Sequence, residues 1–160
     1  MKSYKKQLPL SYALGMALII ELLTYRIAEV TRVYVHSAIE KNQAYFQVER
    51  ICRTNHIEII ESDKAFRVLS PKENCFMIGE FNKFEQPITS NNHLMLVNPA
   101  NAGNLGTIIR TAVGFGIQDI ALIKPCVDIF DPKVIRASMG AIFQMRFSYF
   151  DFFEQYDTLL

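Results

Sequence analysis

A chain of 160 residues with a formal net charge of +1 has room for one domain or two small ones, and its near-neutral balance does not announce a polyanionic partner. Half of it is hydrophobic and 21 % is charged, with no repeat or low-complexity tract, which excludes disordered and fibrous classes. The three cysteines, Cys52, Cys75 and Cys126, are odd in number and far apart, with no CxxC and no histidine at ligand spacing; this excludes a disulfide framework, argues against zinc, and reads as reduced thiols of a cytoplasmic protein.

Lys2, Lys5 and Lys6 ahead of the apolar run Ala13 to Ile20 superficially imitate a secretory signal. Glu21 interrupts the run, no small-residue cleavage site follows, and so short a run cannot span a bilayer, so no membrane association is expected. The spacing of Leu14, Leu18, Leu22 and Tyr25 instead predicts a first helix over residues 11–26, with Ser11 as its cap and Gly15 as a weak point. A strand is expected at Arg32 to His36. Asn42 to Asn55 reads as a second helix, apolar at Ala44, Val48, Ile51 and Cys52, with Glu49 and Arg53 as an i, i+4 pair outside. Ile57 to Ile60 is strand-like, Asp63 to Leu69 a short helix capped by Ser62 or Asp63, and Cys75 to Phe81 another strand. The resulting α-β-α-β-α-β order suits a small layered α/β unit. Lys72 and Lys83, with Arg67 and Phe66, are candidates for an RNA-facing patch on it, against the plainer reading of a solvated charged face.

Gln86 to Asn92, QPITSNN, is polar, contains a proline and separates two apolar patterns, so it is read as a linker between domains 1–85 and 93–160. Leu94 to Val97 is an apolar run of the kind shown by a strand covered on both faces, ended by Pro99. From Leu105 the apolar residues fall at Leu105, Ile108, Ile109, Ala112 and Val113, the stripe of a helix packed on a sheet, while Asn104, Thr107, Arg110 and Thr111 occupy the other side. Gln118 to Ile123 is a second strand, broken at Lys124-Pro125. Asp131-Pro132 opens a further helix with an acid cap and a proline at its first position. Arg146 to Phe150 reads as a third strand, and Asp151 to Leu160 as the beginning of another helix.

The informative place is the strand-turn-helix from Leu94 to Gly116. Long side chains on a helix lean back toward its N-terminus, so the Arg110 guanidinium is aimed at the turn bearing Asn101 and Asn104. Cation, carboxamides and free backbone amides then converge at the carboxyl end of a strand, where open α/β sheets bind ligands. Gly103 and Gly106 read as places of close backbone approach. The turn also resembles a partial dinucleotide site, but the full GxGxxG pattern is absent and the second strand ends in Lys124-Pro125 where a ribose-binding acid belongs.

The residues GNLGTIIRTA, Gly103 to Ala112, resemble the first signature motif of the SpoU/TrmH family of RNA ribose 2'-O-methyltransferases, in the SPOUT superfamily. DIFDPKVIRASMGAIF, Asp128 to Phe143, is similar to the family's downstream segment, and the two stand in the right order. Where many relatives have Asp-Pro before the Gly-Asn of the first motif, this chain has Asn101 and Ala102. The resemblance implies a ribosomal-protein-like recognition domain followed by the first half of a SPOUT-type parallel α/β sheet. It further implies S-adenosylmethionine as methyl donor, tRNA or rRNA as substrate, and a homodimer in the complete protein. The family's knot region is formed by a Gly-Asn-Glu turn and a Ser-Leu-Asn segment, and neither occurs in these 160 residues, so a truncated member without assignable cofactor-binding residues is expected. By the resemblance Arg110 and Asn104 are the catalytic pair, with Asn101, Thr107, Arg136 and Ser138 as further substrate-binding candidates.

Each has a plainer reading: a capping role for Asn104, a solvated charge for Arg110, and simple packing for Ser138, which shares a helical stripe with Val134, Ile135 and Ile142. His36, His56 and His93 form no constellation, and no metal is expected. The competing function is a non-enzymatic RNA-binding module, which binding of the methyl donor would distinguish.

Overall fold

The computed structural model describes residues 3–70 and 74–159, and the chain divides into two compact units, Met1–Lys83 and Phe84–Leu160. The first unit holds β1 (Leu10–Leu14), α1 (Met16–Tyr25), β2 (Val30–Val35), α2 (Gln43–Thr54), β3 (Glu58–Glu61), α3 (Asp63–Leu69) and β4 (Met77–Asn82). Its sheet runs β1-β4-β2-β3, with β2 parallel to β3 and the other neighbours antiparallel.

The start of this unit corrects the expected helix over residues 11–26. Residues 10–14 are a strand paired with β4, Ser11 is buried within it, and the helix begins only after Gly15, whose φ of 107° turns the chain. Leu14 and Leu18 fit a helical stripe by spacing alone, but β4 offers a row of backbone partners and a wall to bury Tyr12 and Ala13 against, and tertiary pairing overrides local periodicity. The glycine supplies the backbone conformation that an L residue resists. A second glycine, Gly79 on β4, lets α1 lie close on the sheet: a Cβ there would meet Leu22 at 3.0 Å and Ile19 at 3.2 Å.

The other expected elements of the unit appear within two residues of their places. Asn42 caps α2 by accepting from the Tyr45 amide (3.0 Å), Glu49 pairs with Arg53 (2.6 Å), and Ser62 caps α3 through the Ala65 amide (3.3 Å). Of the suggested RNA-facing patch, Arg67 is exposed. Phe66 is core, packed with Tyr12, Tyr34 and Ile78, while the Lys83 ammonium donates to the carbonyl oxygens of Lys5 and Lys6 and lies over the Tyr4 ring; Lys72 lies outside the described residues.

The second unit is built from β5 (Leu94–Val97), α4 (Ala102–Gly114), β6 (Asp119–Ile123), α5 (Pro132–Ala137), β7 (Arg146–Phe150) and α6 (Phe153–Asp157). Its strands run in the order β5-β6-β7, all parallel. Every residue of β6 is buried. β5, read from its apolar run as covered on both faces, is an edge strand instead: it has one neighbour, and Val97 is 56 % exposed.

The two helical crossovers pack against each other at Gly106. A Cβ there would stand 2.5 Å from the Ala137 Cβ and 2.6 Å from the Val134 carbonyl oxygen, both on α5. Gly106→Ala is therefore expected to lower the unit's stability by about 1–3 kcal/mol through overpacking, since the up to about 1 kcal/mol of helix propensity gained cannot offset a clash with backbone. Gly114→Ala, where nothing stands within 4 Å, is the control, and urea denaturation of the two variants checks the difference in sign.

The opposite face of this sheet is covered by the segment expected to be a linker. Gln86 accepts from the Phe147 amide (2.8 Å), the Ile88 amide donates to Ser148 Oγ (3.1 Å), and Thr89 donates to the Asp119 carboxylate from both its amide and its hydroxyl. Polar, proline-containing composition marks a lack of regular structure, not a lack of contacts, and this stretch is bound along its length to the second unit. Farther along, Tyr156 of α6 packs on Phe150, Ala121 and Ile123 and bonds to His93 Nε2 (2.8 Å).

Candidate functional site

The carboxyl ends of β5 and β6 are tied together by backbone hydrogen bonds. Asn98 takes a left-handed conformation (φ 52°), one that asparagine tolerates better than most residues. Its amide donates to the Ile123 carbonyl (3.0 Å), and Val127 returns a bond to the Pro99 carbonyl (2.8 Å). Lys124-Pro125 is a cis peptide. Neither Asn98 nor this peptide was singled out from sequence; the Asn-Pro and Lys-Pro dipeptides marked breaks without revealing that the two breaks bond to each other.

Asn101, not Asn104, is the cap of α4: its Oδ1 accepts from the Asn104 amide (2.8 Å). The plainer role foreseen for Asn104 thus belongs to its neighbour, and the Asn104 carboxamide is left exposed at the third helical position. On the same side Thr107 and Arg110 are exposed, while Leu105, Gly106, Ile109 and Ala112 are buried, so the expected two-sided helix forms. The Thr107 hydroxyl donates back to the Gly103 carbonyl (2.9 Å) and that of Thr111 to Thr107 (2.9 Å), which commits both protons to the helix backbone and leaves lone pairs outward.

Among the described residues the Arg110 guanidinium has no carboxylate partner and no hydrogen bond, and the same holds for the exposed Arg136 in the last turn of α5. An unpaired guanidinium offers a planar fork of donors suited to phosphate oxygens, and one is present on each of two helices that touch. The elongated exposed stripe of Asn104, Thr107 and Arg110 spans about 9 Å along the helix at 1.5 Å per residue.

Ser138 is a correction. Read as a residue lining the RNA side, it is fully buried, its hydroxyl donating to the Ile135 carbonyl (2.8 Å) and accepting from the Ile142 amide (3.4 Å). It ends α5 and stitches it to the following turn, which is the packing role its helical stripe had suggested. Nearby, Tyr149 accepts from the Ile129 amide (3.1 Å), and burial pushes its hydroxyl well above the usual tyrosine range, so it stays protonated and structural.

At the other end of the sheet lies a charged pair that sequence reasoning passed over. Asp119, wholly buried, is bonded by Arg146 and by Thr89. Burial alone would raise its carboxyl, but the Thr89 and Arg146 hydrogen bonds outweigh that and hold it below the usual range. An acid at the amino end of a strand is remote from the loops where parallel sheets place ligands, and its role is structural.

Among the described residues no three metal-ligating side chains come together, and no helix is long and apolar enough to cross a membrane. At the carboxyl edge, the amides of Asn98, Lys124 and Val127 are spent on the Ile123, Phe150 and Pro99 carbonyls, and exposed polar side chains stand both there, at Asn98 and Lys124, and on α4 and α5.

Residues 91–159 match the family model described as the SpoU rRNA Methylase family. Over 109 residues the chain is 35 % identical to rRNA methyltransferase 3, mitochondrial, of Xenopus laevis, covering 62 % of this chain and 26 % of that protein. Over 68 residues it is 47 % identical to the protein of the same name from Homo sapiens, covering 39 % of this chain and 16 % of the other. The solved structure of the SpoU methyltransferase AviRb from Streptomyces viridochromogenes, in complex with the cofactor AdoMet, has the same fold, with a TM-score of 0.75 at 16 % identity over 94 % of this chain and 58 % of that one. The chain thus spans about a quarter or less of these curated relatives and less than two thirds of the solved chain. The motif-bearing helix, the touching crossovers and the match over residues 91–159 agree, and that segment is similar to the SpoU rRNA Methylase family.

Proposed function

We propose that this chain is part of an enzyme that transfers a methyl group from S-adenosylmethionine to a ribose 2'-hydroxyl of tRNA or rRNA. The observation that carries the reading is the pairing of an exposed, unpartnered Arg110 with an exposed Asn104 on one side of α4, at the carboxyl end of β5, within a segment that matches the family. S-adenosylmethionine supplies an electrophilic methyl carbon on a sulfonium, which needs no metal. The chain's own residues act on the hydroxyl. Forming the O–CH3 bond breaks the donor's C–S bond and releases a neutral thioether and one proton to solvent water, so the 2'-oxygen must be held in line as its proton departs.

A guanidinium is protonated at any ordinary pH and is a poor proton acceptor. Arg110 instead bonds the phosphate beside the ribose and stabilises the negative charge that grows on the attacking oxygen, a role for which a charge without an internal partner is suited. Asn104 orients the sugar with a carboxamide that the helix cap does not consume. Asn101 and Thr107 support the same strip, and Arg136 offers a second phosphate contact. RNA is the partner in this reading, the assembly is a pair of identical chains, and the compartment is the cytoplasm.

Transfer of labelled methyl to RNA, followed by nuclease digestion to identify a 2'-O-methylated nucleoside, tests the reaction. Methylation on a base overturns the 2'-hydroxyl assignment. RNA binding with neither methyl transfer nor calorimetric binding of the donor favours the second reading, a non-enzymatic RNA-binding module.

A further inference from the structure

We propose that a cleft in the first unit, at the carboxyl ends of β1 and β2, holds one unpaired guanine base of the RNA. The cleft encloses about 390 Å³ and is lined by residues from three separate stretches, among them Gly15, Ile39, Glu40, Asn42 and Phe76. That volume suits a single base with part of its sugar and is too small for a helical element. The inference rests on the proposed action on RNA, in that it takes the base from that RNA.

The chemistry of the walls selects the occupant. Phe76 is 40 % exposed, an aromatic face of the kind on which splayed-out bases stack. Glu40 is exposed, and its carboxylate, which has no hydrogen bond or ion pair among the described residues, is acceptor-only when ionised and repels a phosphate. A carboxylate is matched by two neighbouring donors on one edge. Guanine presents them as N1–H and the N2 amino group, whereas adenine, cytosine and uracil each place an acceptor beside their donor. Asn42 uses its Oδ1 to cap α2, which leaves its amino group as a donor at the same cleft.

The loop that carries these groups is braced for the task. Asp63 accepts from the Ser37 amide (2.8 Å) and the Ser37 hydroxyl (2.7 Å), and those bonds hold its carboxyl below the usual range, so the brace is charged at neutral pH. His36 Nδ1 accepts from the Ala38 amide (3.0 Å), and its ring stands edge-on between Phe66 and Phe76, at 5.3 and 5.6 Å. Phe76 in turn accepts from the His36 amide (2.9 Å). The aromatic wall and the Glu40 loop are thereby held in one arrangement before any ligand arrives, which lowers the ordering cost of binding.

The test is a titration of the 15N-labelled 160-residue chain with GMP, AMP, CMP, UMP and IMP, read at the amides of Gly15, Ile39 and Glu40. GMP is expected to move them with an affinity at least about tenfold above the other nucleotides, IMP included, because IMP lacks the N2 donor. Glu40→Gln is expected to abolish the preference, and Phe76→Ala to weaken all binding about tenfold or more through lost stacking. Unmoved amides at millimolar nucleotide, or equal binding of all five, overturn the proposal. A chain that binds an RNA oligonucleotide while these amides stay still overturns the guanine site and leaves the methyl-transfer reading standing. GMP-selective shifts in a chain that binds and methylates no RNA do the reverse.

Discussion

In a transfer-competent polypeptide containing this chain, Arg110→Ala is expected to lower methyl transfer by about 10²–10³-fold, the scale seen when one donor to a developing oxyanion is removed. RNA affinity should fall only by the share of a single phosphate contact. The asymmetry follows from the geometry. Arg110 is exposed and supports no other side chain among the described residues, so its loss opens no cavity and frees no buried charge. Alanine is also a good residue for the middle of α4. Thermal denaturation should therefore show no loss of stability while single-turnover transfer collapses. Arg110→Lys keeps the charge but not the fork of donors, and is expected to recover part of the rate. Equal losses in transfer and binding would make Arg110 a plain phosphate contact and end the catalytic assignment.

The largest effect on stability is expected far from that site. Arg146→Met leaves the Asp119 carboxylate buried without its cation, and breaking a buried pair from one side costs about 3–5 kcal/mol. Against a domain's total of about 5–15 kcal/mol, this is enough to leave the second unit marginal. Urea denaturation measures it directly. The pH dependence adds a signature: in the native chain the Asp119 carboxyl lies below its ordinary value, so its contribution is complete above the unfolded carboxylate pKa of about 4 and is lost as the pH falls through the lower folded value. Without Arg146 the burial cost is less opposed, the carboxyl rises, and acid unfolding should begin at a higher pH. Asp119→Leu combined with Arg146→Met should cost less than Arg146→Met alone, because an apolar pair leaves no stranded charge. Losses that simply add would mean that the two residues are not coupled.

The sequence by itself determined the elements whose signals are local. Asn42, Ser62 and Asp131 cap their helices by bonding amides two or three residues onward, and Glu49 meets Arg53 across one helical turn. The two-sided character of α4 was legible for the same reason, since which residues face out follows from a 3.6-residue period, and so was the similarity of residues 91–159 to the SpoU rRNA methylase family, from GNLGTIIRTA and the downstream segment. The tertiary structure decided what depends on partners distant in the chain. Residues 10–14 became a strand because β4, more than sixty residues on, offered its backbone. Gln86 to Asn92 became part of the second unit because Thr89 and Ile88 meet Asp119 and Ser148. Ser138 left the candidate site and Asn104 stayed in it for one reason: a helical period gives direction around an axis, whereas burial depends on what stands opposite. Opposite Ser138 the chain folds back to seal it, and opposite Asn104 there is solvent.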